Sequence, residues 1–185
     1  MKTEKKQLTE KLKKIRAIFM DVDGVLTDGS AIFINGTTPK VWNVRDRLAI
    51  KAMKGLLGDD LAVIWITGRP CTELKDRASE LGVDRTYSNI SNKYQIMEAE
   101  LSVRGLSFEE ALYIGDDLID LRCMEASGVS CAPKDAAAEV LAVADYISDK
   151  PGGKGAVRDI LELFLKAIDR WDDLVEKFRG VGGSN

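Results

Sequence analysis

The chain has 185 residues, a length that fits one domain with a sizeable buried core at roughly 100–200 residues per domain. Its residues are 45% hydrophobic and 31% charged, with no apolar run near the roughly 20 residues of a membrane-spanning helix; 30 acidic against 27 basic residues give a net charge of -3 and no overall pull toward nucleic acid or anionic membrane. There is no histidine, which excludes Ser-His and Cys-His nucleophile pairs, HExxH metalloproteases and histidine phosphocarriers and leaves acid-base work to carboxylates and lysines.

The first 14 residues are lysine-rich with few apolar positions, Leu8 and Leu12, and read as a basic, solvated, partly helical extension. They are too polar for a secretory signal, so the expectation is a cytoplasmic protein. Ile15–Met20 is a strand-length apolar run, and residues 30–44 carry two β-rich arms around Asn35-Gly36, a strong hairpin signal, read as an inserted, protruding β-hairpin. Further apolar runs at 61–66, 111–114 and 129–132, and a weaker one at 145–148, alternate with helical spacing at about 46–57, 70–81, 92–104, 117–126 and 135–142. From Ala156 to Phe178 one apolar stripe describes a long amphipathic helix or two in tandem, whose last turns with Trp171 and Phe178 are expected to pack on another subunit. The expected organisation is an extension over 1–14, the main domain over 15–168, and a helix end with a flexible glycine-rich tail over 169–185. Cys71, Cys123 and Cys131 are too few and scattered for a disulfide framework or a zinc site and read as buried thiols.

Strands joined by helices predict right-handed βαβ crossovers, a Rossmann-like three-layer α/β sandwich around a mostly parallel sheet, and ligands at the carboxyl ends of its strands. Three strands end in a polar cluster there: Asp21-Val-Asp-Gly-Val-Leu-Thr-Asp-Gly29, Thr67-Gly-Arg-Pro70 and Gly115-Asp-Asp-Leu-Ile-Asp120. Side by side they would gather Asp21, Asp23 and Asp116, and such carboxylates repel unless a cation joins them, magnesium being the natural candidate. A metal site beside Thr67, Arg69 and a lysine suggests a phosphate as the other occupant, an aspartate as nucleophile in the absence of histidine, and a second aspartate as acid and base.

With Ile66-Thr-Gly-Arg69 and Lys93 added, these residues resemble the haloacid dehalogenase phosphatase superfamily. The resemblance implies Asp21 as nucleophile, Asp23 as general acid-base, Thr67 and Lys93 on the phosphoryl oxygens, and a magnesium ion held by Asp21, the Asp23 main-chain carbonyl and Asp116, with Asp117 in the outer shell. The hairpin, Asn43-Val-Arg-Asp46, Ser91-Asn-Lys93 and Gly152-Gly-Lys-Gly-Ala-Val-Arg158 further resemble the 3-deoxy-D-manno-octulosonate 8-phosphate (KDO 8-phosphate) phosphatases over about residues 14–166. Those are small capless enzymes that form tetramers, with hairpins building a barrel and a neighbouring subunit closing each site. The resemblance implies Asp23, Asn43, Val44, Arg45, Asp46, Lys51, Arg69, Arg77 and Lys93 as contacts to a phosphorylated 2-keto-3-deoxy sugar acid in lipopolysaccharide precursor synthesis. The chain departs from that family at Asp46-Arg-Leu-Ala-Ile50, where Arg47 and Ala49 replace glycines, so Arg47 joins the candidate substrate contacts.

Plainer readings stand beside these. Thr67 and Asp116-Asp117 could be helix caps, and Lys93, Arg77 and Arg47 exposed helix charges. Trp42 and Trp65 are packing residues, and the tail is an inert end or, as the family resemblance implies, reaches a neighbouring active site. A nine-carbon sialic-acid-type 9-phosphate is the alternative substrate, and a catalytically silent assembly module of this fold is the alternative from another class.

Overall fold

A computed structural model of the chain describes residues 2–34 and 39–180. Six strands form one parallel sheet among these residues: β1 (Ala17–Met20), β2 (Ala62–Ile66), β3 (Arg85–Tyr87), β4 (Ala111–Ile114), β5 (Val129–Ala132) and β6 (Tyr146–Ile147), in the order β3-β2-β1-β4-β5-β6. β1, β4 and β5 are buried along their whole length, which is why they read as unbroken apolar runs. β1 sits between β2 and β4, with Phe19 opposite Ile64 on one side and Tyr113 on the other. The strand order reverses direction there, and in an open α/β sheet the crevice beyond such a point is the ligand site.

The connecting helices are α2 (Val44–Leu57), α3 (Leu74–Leu81), α4 (Lys93–Arg104), α5 (Leu121–Ala126), α6 (Ala138–Val143) and α7 (Ala156–Ala167). Alternation along the strands divides the core in two. Ile18, Met20, Val63, Trp65, Leu112 and Ile114 pack with Ile50, Met53, Ile160 and Phe164 of α2 and α7. Ala17, Phe19, Ile64, Ile66 and Tyr113 pack with Met97, Leu101, Met124 and Val140 of α4, α5 and α6.

The structure departs from the sequence reading in four places. β3 was not foreseen: an edge strand of Arg-Thr-Tyr has no apolar run. The basic extension forms α1 (Lys2–Leu12), and it is not simply solvated, because Leu12 lies in the core and Lys11 Nζ meets Asp145 Oδ1 at 2.7 Å. The C-terminal stripe follows the second of its two readings, helices in tandem, α7 and α8 (Trp171–Gly180), parted at Ile168 and at Asp169, whose φ of 56° is left-handed; what differs is the packing of its last turns. Trp171 packs on its own domain under the guanidinium of Arg158, 5.0 Å from the ring centre, while Phe178 stays half exposed. The described arms of the expected hairpin form no strand; Ile34 makes one isolated bridge, and Asn35-Gly36 lies outside the described residues. A lone two-stranded hairpin has too little to pack against in a single chain, and Phe33 and Val41 on its arms are exposed.

Candidate active site

Asp21 is the first residue beyond β1, and its N–H donates to the Ile114 carbonyl at 2.9 Å, which ties the strand end to β4. Its side chain is almost fully buried, an expensive place for a carboxylate. Lys93 meets that cost from the first turn of α4, where the Asn92 side chain accepts from the Gln95 N–H and caps the helix. Lys93 Nζ lies 2.5 Å from Asp21 Oδ1 and 2.8 Å from Asp120 Oδ1. Asp120, wholly buried in the short turn after β4, also accepts from the Tyr113 hydroxyl at 2.8 Å and from the N–H groups of Asp116 and Asp117 at 3.1 and 3.4 Å.

Burial and the Asp120 charge push the Asp21 carboxyl up to about 6, against the opposing pull of Lys93. Burial and the charges of Asp21 and Asp120 push Asp116 further, to about 9. Burial alone would lower Lys93, but the two aspartates outweigh it and hold the ammonium above its usual range. Carboxyl oxygens of Asp21, Asp116 and Asp120 lie within 4.8 Å of one another. Such a crowd of hard oxygens suits a divalent cation. Both oxygens of Asp120 already accept from Lys93, Tyr113 and two backbone donors, whereas Lys93 meets Asp21 through Oδ1 alone, so Asp21 and Asp116 are the side chains better placed to ligate.

Asp23 lies two residues past Asp21. Its Oδ2 accepts from the Thr67 hydroxyl at 2.8 Å, and its Oδ1 is ion-paired with Lys40 Nζ. Thr67, buried at the end of β2, is held by its N–H to the Tyr87 carbonyl at 2.8 Å and accepts from the Arg69 N–H at 3.0 Å. The loop behind is closed by glycine: a Cβ on Gly152 would come 1.6 Å from the Gly24 carbonyl oxygen. A cavity of about 280 Å³ opens beside Asp23, with Ile32, Phe33, Lys40 and Arg69 in its wall.

The structure thus brings together Asp21, Asp23, Thr67, Lys93 and Asp116, with Arg69 at the rim. The remaining residues expected at the site are placed differently. The Asp117 carboxylate caps the turn by accepting from the Leu118 N–H at 2.8 Å. Asn43 caps α2 and donates to the Gly153 carbonyl at 3.2 Å; with Val44 and Arg45 it lines another cavity, of about 380 Å³, together with Asp28, Gly153 and Lys154. Asp46 is buried, and its two oxygens accept from the N–H groups of Gly155 and Arg158 at 3.1 and 2.7 Å, so it anchors the start of α7 rather than facing a sugar. Arg47 and Arg77 both pair with Glu80 between α2 and α3, and Lys51 is exposed on α2. Within one chain these four residues serve helix packing or the surface. Asp120 and Lys40 were not foreseen as site residues. The short spacing of Asp120 from Asp116 was a readable signal, whereas Lys40 carries none.

A parallel sheet with this strand order, and at its switch point an aspartate-lysine pair with a second aspartate two residues on, define a phosphatase of the haloacid dehalogenase superfamily. Residues 87–161 match the family model described as haloacid dehalogenase-like hydrolase. The chain is 39% identical over 165 residues to the 3-deoxy-D-manno-octulosonate 8-phosphate phosphatase KdsC of Escherichia coli, covering 88% of this chain and 86% of that protein, and 40% identical over 157 residues to that of Yersinia pestis, covering 84% and 82%. It is similar to the crystal structure of the Moraxella catarrhalis enzyme in complex with magnesium, phosphate and KDO, with a TM-score of 0.88 and 34% identity over 93% of this chain and 98% of that one. The cobalt-bound Haemophilus influenzae phosphatase matches with a TM-score of 0.80 and 33% identity over 87% and 93%. The chain belongs to the KDO 8-phosphate phosphatase family.

Proposed function

We propose that this phosphatase hydrolyses KDO 8-phosphate to KDO and inorganic phosphate, with magnesium, as a step of lipopolysaccharide precursor synthesis. The observation that carries the chemistry is the buried Asp21 with Lys93 Nζ 2.5 Å away and Asp23 two residues along. The identity to enzymes of that name over most of the chain supports the substrate.

Asp21 is the nucleophile. An Oδ–P bond forms as the P–O bond to the sugar breaks, and Asp23 gives a proton to the departing alkoxide. Asp23 then takes a proton from water as that water attacks the aspartyl phosphate, which releases phosphate and restores Asp21. Lys93 neutralises the phosphoryl oxygens beside Asp21, and Thr67 orients Asp23 through the 2.8 Å hydrogen bond. The donor set fits magnesium, since carboxyl oxygens of Asp21, Asp116 and Asp120 converge within 4.8 Å and the single ammonium of Lys93 does not balance three carboxylates; Asp21, Asp116 and the Asp23 main-chain carbonyl would hold it. When bound, the ion supplies positive charge that offsets the carboxylates and the phosphoryl group.

We also infer a cytoplasmic homotetramer in which a neighbour completes each site. Ile32, Phe33, Val41, Val44 and Leu48 are all exposed around the 30–48 segment, an apolar surface that needs a partner. The sugar contacts expected of Asn43, Val44, Arg45 and Arg47 would then be made across subunits. No helix of the described residues is long and apolar enough to cross a membrane.

The test is phosphate release, with and without magnesium, from KDO 8-phosphate, a sialic-acid-type 9-phosphate and neutral hexose phosphates, compared by kcat/KM. KDO 8-phosphate should lead by orders of magnitude, and Asp21→Asn should abolish turnover. A preference for the nine-carbon acid would reassign the substrate, and a folded protein inert to every phosphate would leave a silent assembly module. Light scattering should give a tetramer, and a fully active monomer would overturn that assembly.

A further inference from the structure

Lys40 lies in a stretch without helix or strand, yet its side chain is only 10% exposed. Two anchors hold it there. The Lys40 N–H and the Trp42 indole N–H both donate to Glu73 Oε1, at 3.3 and 3.2 Å, just ahead of α3. Trp42 is also stacked on Trp65 of β2, with ring centres 5.5 Å apart. The arm is thereby fastened to the β2 side of the crevice, and from it Lys40 Nζ reaches Asp23 Oδ1 while Thr67 holds Oδ2. Each oxygen of Asp23 thus has one donor from a separate element.

We propose that Lys40 is a positioning residue for Asp23: with Thr67 it fixes the plane of that carboxylate beside the cavity that receives the leaving group, and Glu73 in turn fixes Lys40. The proposal rests on the reading of Asp23 as the acid. A general acid works only within hydrogen-bond reach of the leaving oxygen, and loosening of a reacting group by about 1 Å costs on the order of a hundredfold. Thr67 alone leaves the carboxylate free to pivot about one hydrogen bond.

Leaving-group chemistry separates this role from general support of the fold. An alkoxide cannot depart without a proton, whereas 4-nitrophenolate can. kcat/KM reports the steps up to P–O cleavage, so later hydrolysis of the aspartyl phosphate does not enter. The experiment compares Lys40→Met, Lys40→Arg and Glu73→Ala with the native chain at saturating magnesium. The substrates are 4-nitrophenyl phosphate, KDO 8-phosphate and a neutral sugar phosphate that the native chain hydrolyses.

Lys40→Met should lower kcat/KM on both sugar phosphates by at least about tenfold and on 4-nitrophenyl phosphate by less than about threefold, since proton donation by a placed acid is worth about 10²–10⁴. Lys40→Arg should restore most of the loss, and Glu73→Ala should show the same split in smaller measure. An equal fall on aryl and alkyl esters, or no fall on the alkyl esters, overturns the proposal. So does a fall confined to the sugar acid, which would make Lys40 a ligand of the substrate carboxylate. If native KDO 8-phosphate turnover is poor while another sugar phosphate is hydrolysed, the substrate assignment fails and the leaving-group split still decides the role of Lys40.

Discussion

Gly24 lies directly against Asp116: a Cβ built on it would come 1.9 Å from Asp116 Oδ2, and its φ of 102° is one that side chains rarely adopt. The loop after β1 and the carboxylate after β4 are therefore packed with no space for a methyl group. Gly24→Ala should cost about 1–3 kcal/mol in backbone strain and displace Asp116 as well. The expected result is a protein that folds, with magnesium dependence of phosphate release shifted to much higher concentration and kcat/KM down about a hundredfold from the misplaced carboxylate. Titration of activity with magnesium checks it, and an unshifted midpoint would separate Asp116 from the metal site.

Metal removal should make stability strongly pH-dependent. Asp21 and Asp116 are held at about 6 and about 9 in the fold, above the ordinary aspartate value near 4 in an unfolded chain. A carboxyl with a raised folded pKa contributes stability that is present below its unfolded pKa and is lost as pH rises through the folded one. In EDTA the melting temperature should therefore fall between about pH 4 and pH 9, and magnesium should restore it by an amount that grows with pH. Thermal melts across that range, with and without the ion, make the measurement. Asp116→Asn should flatten the metal-free slope.

Asp21, Asp23 and Asp116 were legible because each lies in a polar cluster that begins where an apolar run ends, a pattern a parallel sheet places at its ligand edge. Lys93 was legible from its place in the motif order, and its burial between two aspartates was not. The position of Asp120 in the cluster after β4 was readable, but its role was not, because it arises from tertiary convergence: Lys93, Tyr113 and two backbone N–H groups meet on it from different elements. The hairpin signal of Asn35-Gly36 is local, and local turn chemistry does not make strands where a single chain offers the arms no third strand. Asp46 looked like a sugar contact through resemblance alone, and only the fold shows Gly155 and Arg158 presenting their N–H groups to it.

Lys54 offers a stability prediction away from the chemistry. Its buried Nζ donates to the carbonyls of Gly58 and Leu61, both at 2.8 Å, and to Asp84 Oδ2 at 2.9 Å, and that same carboxylate oxygen accepts from the Val63 N–H at 2.7 Å. Lys54→Met leaves two carbonyls and a partly buried charge unmatched, at a cost of about 3 kcal/mol. For a chain of this size that is roughly 6–12 °C in melting temperature. kcat/KM below the melt should stay at the native value, and a matching loss of activity would show that the sheet edge and the site are linked.

The two aspartates on Lys93 should respond oppositely to neutralisation. Asp120 is held by four donors and balances the Lys93 charge, so Asp120→Asn breaks a buried pair and should cost about 3–5 kcal/mol. Asp21 is instead kept ionised against burial and against the Asp120 charge, which is why its carboxyl sits at about 6. Asp21→Asn removes that repulsion, so at pH 7.5 in EDTA its melting temperature should equal or exceed the native value while turnover vanishes, a separation of stability from function expected of a strained active site. Paired melts and phosphate-release assays check both variants. An Asp21→Asn protein as unstable as Asp120→Asn would mean that the Lys93–Asp21 contact chiefly supports the fold, and one that keeps its turnover would mean that the nucleophile lies elsewhere.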